Sequence, residues 1–361
     1  MDTGLKRIDV LPELKSRVAS LDGLRALSIA MVLFNHAQLS CDFPGGTPQW
    51  FGWLFNGQLG VRIFFVISGF IITLLILREE NNRGSFSLKN FYFRRILRIL
   101  PVYYLFLFTV MIISRFVDLR LNPNEMTAAL TFTTGWWKNG TWILGHTWSL
   151  SVEEQFYLLW PFVLYFVTSP RKRMIAACCA VAIMPLMRVL VYKSSLEEQR
   201  GFIFIGAGDS ILYGCILAML LFYYGAEVKK YFTSYVGVLR IVLIFLIWGS
   251  TALQSQAMLG VLTVPLSNTV ESIAISWLIA SFIFNPDPGH KILNSRILVF
   301  IGTISYSWYL WQQLFLFECE RYFSSESFRF PINIILSFIV ACMSYYLIEK
   351  TFQRLKPKIA A

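Results

Sequence analysis

Charge is what this 361-residue chain has least of. Only 15% of its residues are Asp, Glu, Lys or Arg, against 56% hydrophobic residues and a mean hydropathy of +0.58. A water-soluble domain cannot hide that much apolar surface, so composition excludes a soluble enzyme and leaves an integral membrane protein. Acids are the scarcer sign, 21 Asp and Glu against 32 Lys and Arg, for a net charge of +11. Basic loops on the cytosolic side of a membrane account for that excess, and no nucleic acid is implied. Cysteine is also sparse. The six, at 41, 178, 179, 215, 319 and 342, show no metal-ligand spacing, and no metal is expected. Cys41 and Cys319 fall on one side of the membrane in the topology below, with a disulfide between them the lesser reading. No low-complexity segment or obvious repeat is visible, and no appended soluble domain is expected.

What is present is a series of apolar runs. Residues 1–20 form a basic segment with Lys6, Arg7, Lys15 and Arg17, and no small-residue cleavage site ends the run that follows. An uncleaved anchor with a cytosolic N-terminus is expected, not a signal peptide. Ten spans follow, at about 21–40, 59–77, 99–116, 146–167, 174–192, 202–224, 236–253, 266–284, 297–317 and 331–348. The expected fold is therefore all-α, a polytopic transmembrane bundle with both termini cytosolic. Its membrane domain covers residues 21–350, and a short basic tail covers 351–361. On this topology 22 of the 32 Lys and Arg lie on or beside cytosolic segments and seven outside, which sets the orientation. Cys41 to Gln58, with Pro44-Gly45-Gly46 and Pro48, reads as a far-side loop, and Trp50 and Trp53 suit the interfacial belt. The stretch 118–145 reads as a second far-side loop.

The first span, LDGLRALSIAMVLFNHAQLS, carries Arg25 and His36. Eleven positions apart, they share one helix face and lie roughly 16 Å apart along the axis. Two ionisable residues on one face suggest a polar track through the protein. An Arg snorkelling to the interface and a His satisfied between helices explain them equally well. In HTWSLSVEEQFYLLWP, His146, Ser149 and Glu153 follow the i, i+3, i+7 spacing of a single face. Glu154 points about 100° away from its neighbour, so Glu153 is the better candidate for a polar interior. Asp209 and Glu271 are further embedded acids, best read as partners for Arg25, Arg62 or Arg188. Arg95 and Arg98, with Arg94 beside them, start the third span. Charge pattern alone favours ordinary positive-inside duty, whereas a cluster at a cavity mouth would grip phosphates through the guanidinium fork.

In order along the chain, LDGLRALSIAMVLFNH, GVRIFFVISGFIITLL, FRRILRILPVYY, HTWSLSVEEQFYLLWP, GDSILYGCILAM, ISYSWYLW and YYLIEKTFQRL resemble the acyltransferase-3 family of integral membrane acyltransferases. Seven motifs from about Leu21 to Leu355 carry the resemblance. It implies a plasma-membrane enzyme that takes an acyl group, commonly acetyl, from cytosolic acyl-CoA and passes it to a sugar hydroxyl of a cell-surface or exported glycan. By the same resemblance Arg25 and His36 match an Arg–ten residues–His motif, with His36 as general base or transient nucleophile. Arg95 and Arg98 match an RxxR motif that contacts CoA phosphates, with Arg25 helping. Trp148, Ser149, Leu150 and Glu153 match WSLxxE, and Glu153 or His146 would orient or protonate groups on the outer side. Two departures stand out. Gln312 occupies a position where many members have His, so no catalytic role is carried over there. Gly60-Val61-Arg62 replaces the usual GVD, which reverses the charge. Some members add a soluble esterase-like domain. The chain ends at Ala361, so its membrane domain is expected to act alone or with a separate acceptor-side transferase. A transporter or flippase is the alternative from another class, though no inverted repeat or matching broken helices support it.

Overall fold

The computed structural model describes residues 12–14, 18–136, 140–193, 207–232, 236–256, 258–318, 322 and 326–355, with the side chains of 192, 193 and 327 aside. Its regular structure among these residues is helical throughout. The helices, in chain order, are α1 (Ala19–Ala37), α2 (Gln49–Leu54), α3 (Gly57–Arg83), α4 (Leu88–Ile113), α5 (Glu125–Leu130), α6 (Trp142–Gly145), α7 (Thr147–Phe166), α8 (Pro170–Lys193) and α9 (Asp209–Lys229). There follow α10 (Val236–Ser255), α11 (Gly260–Phe284), α12 (Pro288–Leu293), α13 (Arg296–Trp311), α14 (Ile332–Ser344), a π turn (Tyr345–Glu349) and α15 (Lys350–Arg354).

Local chemistry sets several ends. The Asn56 side chain accepts from Leu59 N to start α3, and Gly84, at φ 76°, takes the left-handed turn that ends it. Ser87 then caps α4 by accepting from Asn90 N at 3.3 Å. Helix α4 thus begins well before the expected span. Arg94, Arg95 and Arg98 lie within it, each a turn or more from its start. Backbone hydrogen bonding continues past the apolar stretch because nothing in 88–98 breaks a helix. The two expected far-side loops also contain structure, α2 in one and α5 and α6 in the other. Residues 137–139, the opening of the sixth expected span and Cys319 lie outside the described residues. Cys41 is disulfide-bonded, and the partner expected for it, Cys319, is among those undescribed residues.

Among the described residues, seven stretches are long and apolar enough to cross a membrane: 49–83, which contains α3, then α4, most of α8, α9, α10, α11 and α14 with α15. The other three expected spans are helices in place but fall outside that set. Helix α13 has only 16 residues, and α1 and α7 carry the polar side chains described below. Large apolar side chains on the periphery, such as Val238, Ile241 and Phe245 of α10, are exposed, as suits a protein solvated by lipid.

The centre is α3. In its most apolar window 72% of residues are buried, against 22% for α10. Helix α3 packs along α9 and α1, and α1 packs along α13. Small residues permit this closeness. A Cβ on Gly69 would run into the carbonyl oxygen of Ile211, and one on Gly214 into that of Val66. A Cβ on Gly302 of α13 would strike the backbone of Asp22 on α1 in the same way.

Buried ion pairs tie the surrounding helices together. Arg62 meets Glu271 and Asn268, and Arg188 meets Asp209, so both embedded acids are in the structural pairs expected of them. The reversed charge at Arg62 is thereby balanced from α11. Arg173 is 1% exposed and holds Glu80 at 2.6 Å, while also donating to the carbonyls of Leu164 and Val167 at the end of α7. Arg94 pairs with Glu79 at 2.7 Å, and Arg240 with Asp287. Most of these contacts fasten one end of the bundle, the basic end. At the opposite end Asn333 donates to Ser40 at 2.8 Å, and Trp142 Nε1 to the Leu316 carbonyl at 2.8 Å.

Candidate functional site

Helices α1, α3, α4, α7 and α13 surround a cavity. Its polar wall is Arg25 of α1, Ser68 of α3, Arg95 and Arg98 of α4, Ser149, Glu153 and Tyr157 of α7, and Ser305, Tyr306 and Tyr309 of α13. A second cavity adjoins it at the basic end and shares Arg25, Arg98 and Ile71. Arg78, Asp22, Glu349 and Gln353 also face this chamber, which is the larger, about 370 Å³ against about 80 Å³. The pair makes a wide polar mouth leading to a narrow inner pocket.

The arginines here differ from those elsewhere. Arg62, Arg94, Arg173, Arg188 and Arg240 each have a carboxylate within tight ion-pair distance. Arg25 reaches Asp22 only at 3.9 Å, and Arg95 and Arg98 pair with no carboxylate among the described residues. Arg95 instead lies over the Tyr157 ring at 5.0 Å and near Phe91 at 5.7 Å. Guanidinium groups converging on a cavity without a tight ion pair favour an anion there. Arg94, though beside them in sequence, is committed to Glu79 and faces away from this work.

Glu153 accepts hydrogen bonds from the hydroxyls of Ser68 and Tyr157 and lines the inner pocket. Further along α7, the Ser149 and Tyr309 hydroxyls are 2.6 Å apart, and Tyr309 also donates to the His146 carbonyl at 3.0 Å. His146 itself lies behind this wall, not on it. It is 3% exposed, with its ring against Phe106 and Tyr309. Its Nε2 lies 3.1 Å from the Leu310 carbonyl, an acceptor only, so that nitrogen carries the proton.

His36 sits at the opposite end of α1 from Arg25 and is partly buried. Its Nδ1 is 2.9 Å from Gln312 Oε1, and its ring stands edge-on to Trp142 at 4.9 Å. One tight turn after α13, Gln312–Leu314, serves both histidines: Gln312 meets His36, and Gln313 Oε1 accepts from the His146 backbone at 3.1 Å. The structure thus brings Arg25, Arg95, Arg98 and Glu153 onto one cavity. His36 and His146 lie outside its lining, toward the far end.

Sequence inspection missed Arg78, Ser68, Tyr157 and Tyr309, and it marked Gln312 only as a departure from the family pattern. Tyr157 had a signal, because Ser149, Glu153 and Tyr157 repeat every four residues along one face of α7. Ser305 and Tyr309 do the same on α13. Ser68 had none, and the pairing of Gln312 with His36 left none, since the partners lie on other helices. No group of three His, Cys, Asp or Glu side chains that would hold a metal ion occurs among the described residues.

No solved structure matches this chain. The peptidoglycan O-acetyltransferase OatA of Listeria monocytogenes serovar 1/2a (strain ATCC BAA-679 / EGD-e) is 27% identical over 93% of the chain and 56% of its own length. The O-acetyltransferase OatA of Staphylococcus aureus (strain NCTC 8325 / PS 47) is 26% identical over 92% of the chain and 57% of its own length. The chain therefore spans little more than half the length of the relatives it matches. The sequence pattern of the acyltransferase domain family, Acyl_transf_3, matches residues 18–349, and with that match over nearly the whole chain the protein belongs to this family of membrane acyltransferase domains.

Proposed function

We propose that this protein is a plasma-membrane O-acetyltransferase that moves acetyl from cytosolic acetyl-CoA to a sugar hydroxyl of a cell-surface glycan. The observation that carries the proposal is the convergence of Arg25, Arg95 and Arg98 on a cavity without tight carboxylate partners. The bundle would cross the membrane ten times with both termini cytosolic, which puts the basic end and its wide chamber in the cytosol. The nucleotide phosphates of CoA then dock among Arg25, Arg98 and Arg78. The acyl-bearing arm runs inward past Arg95, Glu153 and Tyr309. Glu153 fixes Tyr157 and Ser68 along that path, and His146 holds Tyr309 and Ser149 in place. A relative named for peptidoglycan supports a glycan acceptor.

At the far end His36 acts as general base. It takes the proton of the acceptor hydroxyl as that oxygen attacks the thioester carbonyl. A C–O ester bond forms, the C–S bond breaks, and the departing CoA thiolate recovers the proton from the imidazolium. The products are the acetylated sugar and CoA thiol. Mass spectrometry of surface glycans from cells with and without the gene tests the proposal: the expected result is a missing acetyl group in its absence. Identical glycan profiles would overturn it.

A further inference from the structure

We infer that Gln312 is the positioning residue of this site, holding His36 in the one tautomer that leaves a free base facing the acceptor. The inference rests on the proposed role of His36 as base. Gln312 is wholly buried, on the tight turn that ends α13, and its Oε1 lies 2.9 Å from His36 Nδ1. An amide oxygen only accepts, so Nδ1 must supply the proton and the lone pair is confined to Nε2. A base oriented by a hydrogen bond to its other ring nitrogen is the general arrangement of imidazole catalysts.

The surroundings leave this task to Gln312. Among the described residues the His36 side chain hydrogen-bonds Gln312 and stands edge-on to the Trp142 ring, and His146 is a titratable group nearby. No carboxylate among the described residues forms an ion pair with His36. The Gln312 amide nitrogen is itself buried without a partner. The reverse amide orientation would point that NH₂ at Nδ1, move the imidazole proton to Nε2 and extinguish the base.

The chain has only three histidines, so ¹⁵N-histidine labelling of the full-length protein in nanodiscs gives an assignable spectrum, with His36→Gln identifying the His36 signals. The expected result is a neutral His36 protonated at Nδ1. An Nε2-protonated ring would overturn the inference. Kinetics, with radiolabelled acetyl-CoA as donor and soluble peptidoglycan strands as acceptor, supply a second arm. Gln312→Met keeps the length but not the acceptor, and should lower kcat by about 10–100-fold with KM for acetyl-CoA unchanged. Gln312→Glu keeps an acceptor and adds charge, so it should restore turnover and move the acid limb of the pH–rate profile to higher pH. If His36→Gln retains wild-type turnover, the base assignment fails and this inference with it. If His36→Gln is inactive while Gln312→Met keeps both its kcat and its pH profile, only the role of Gln312 fails.

Discussion

His36→Gln separates chemistry from packing, because Gln keeps hydrogen-bonding capacity and similar bulk but cannot act as a base near neutral pH. With His36 as general base, the variant should insert and fold normally yet lose about 10²–10⁴-fold in acyl transfer. It should still bind acetyl-CoA, because the proposed phosphate contacts lie roughly 16 Å away along α1. Wild-type turnover in purified His36→Gln protein would end the assignment. The arginines allow a matched comparison within one helix. Losing a charge-assisted contact to a CoA phosphate in Arg98→Ala should cost about 1.5–3 kcal/mol, roughly one to two decades in acetyl-CoA affinity. Arg98→Lys should recover only part of this, since a point charge lacks the fork. Arg94→Ala, four residues earlier, breaks the 2.7 Å pair with Glu79 and should lower thermal stability without changing the acetyl-CoA requirement. Isothermal titration with acetyl-CoA alongside thermal unfolding distinguishes the two, and equal effects on both quantities would dissolve the contrast.

Helix α13 shows how an element rather than a residue sets the site. It supplies Ser305, Tyr306 and Tyr309 to the cavity wall and ends in the turn that carries Gln312 and Gln313. It can do so because Gly302 lets it lie directly on the backbone of α1, the helix that bears both Arg25 and His36. Gly302→Ala should therefore cost about 1–3 kcal/mol through overpacking and depress acyl transfer as the two helices part. Gly237→Ala on α10, where an added Cβ meets nothing within 4 Å, is the control and should change neither. Thermal unfolding in detergent reads the difference. Helix α7 was legible in sequence because its site residues recur on one face, four apart. Helix α4 was only half legible. Apolar content locates where a chain can enter lipid, but backbone hydrogen bonds carry the helix back to Leu88, and that extension is what turns Arg95 and Arg98 into a lining.

Across the whole molecule, ten crossings with cytosolic termini would place the turn after α3 and the segment holding α5 on opposite sides of the membrane. With the native cysteines replaced, a cysteine introduced at exposed Asn124 should react with an impermeant reagent added outside intact cells, and one at exposed Ser85 should not. The opposite pattern would invert the bundle and remove the proposed cytosolic mouth. Composition alone determined that the chain belongs in a membrane, because burial of its apolar surface has no aqueous solution. The Arg25–His36 spacing and the Ser149–Glu153 face were equally fixed by sequence, since a helix converts fixed separations into shared faces. Tertiary structure alone decided which charges are structural and which are available. Arg94 and Arg95 are neighbours in the chain, yet one is bound to Glu79 and the other faces a cavity. Only the fold joins Ser68 to Glu153 across 85 positions and His36 to Gln312 across 276, because contacts between helices depend on how the bundle packs and leave no periodic trace along the chain.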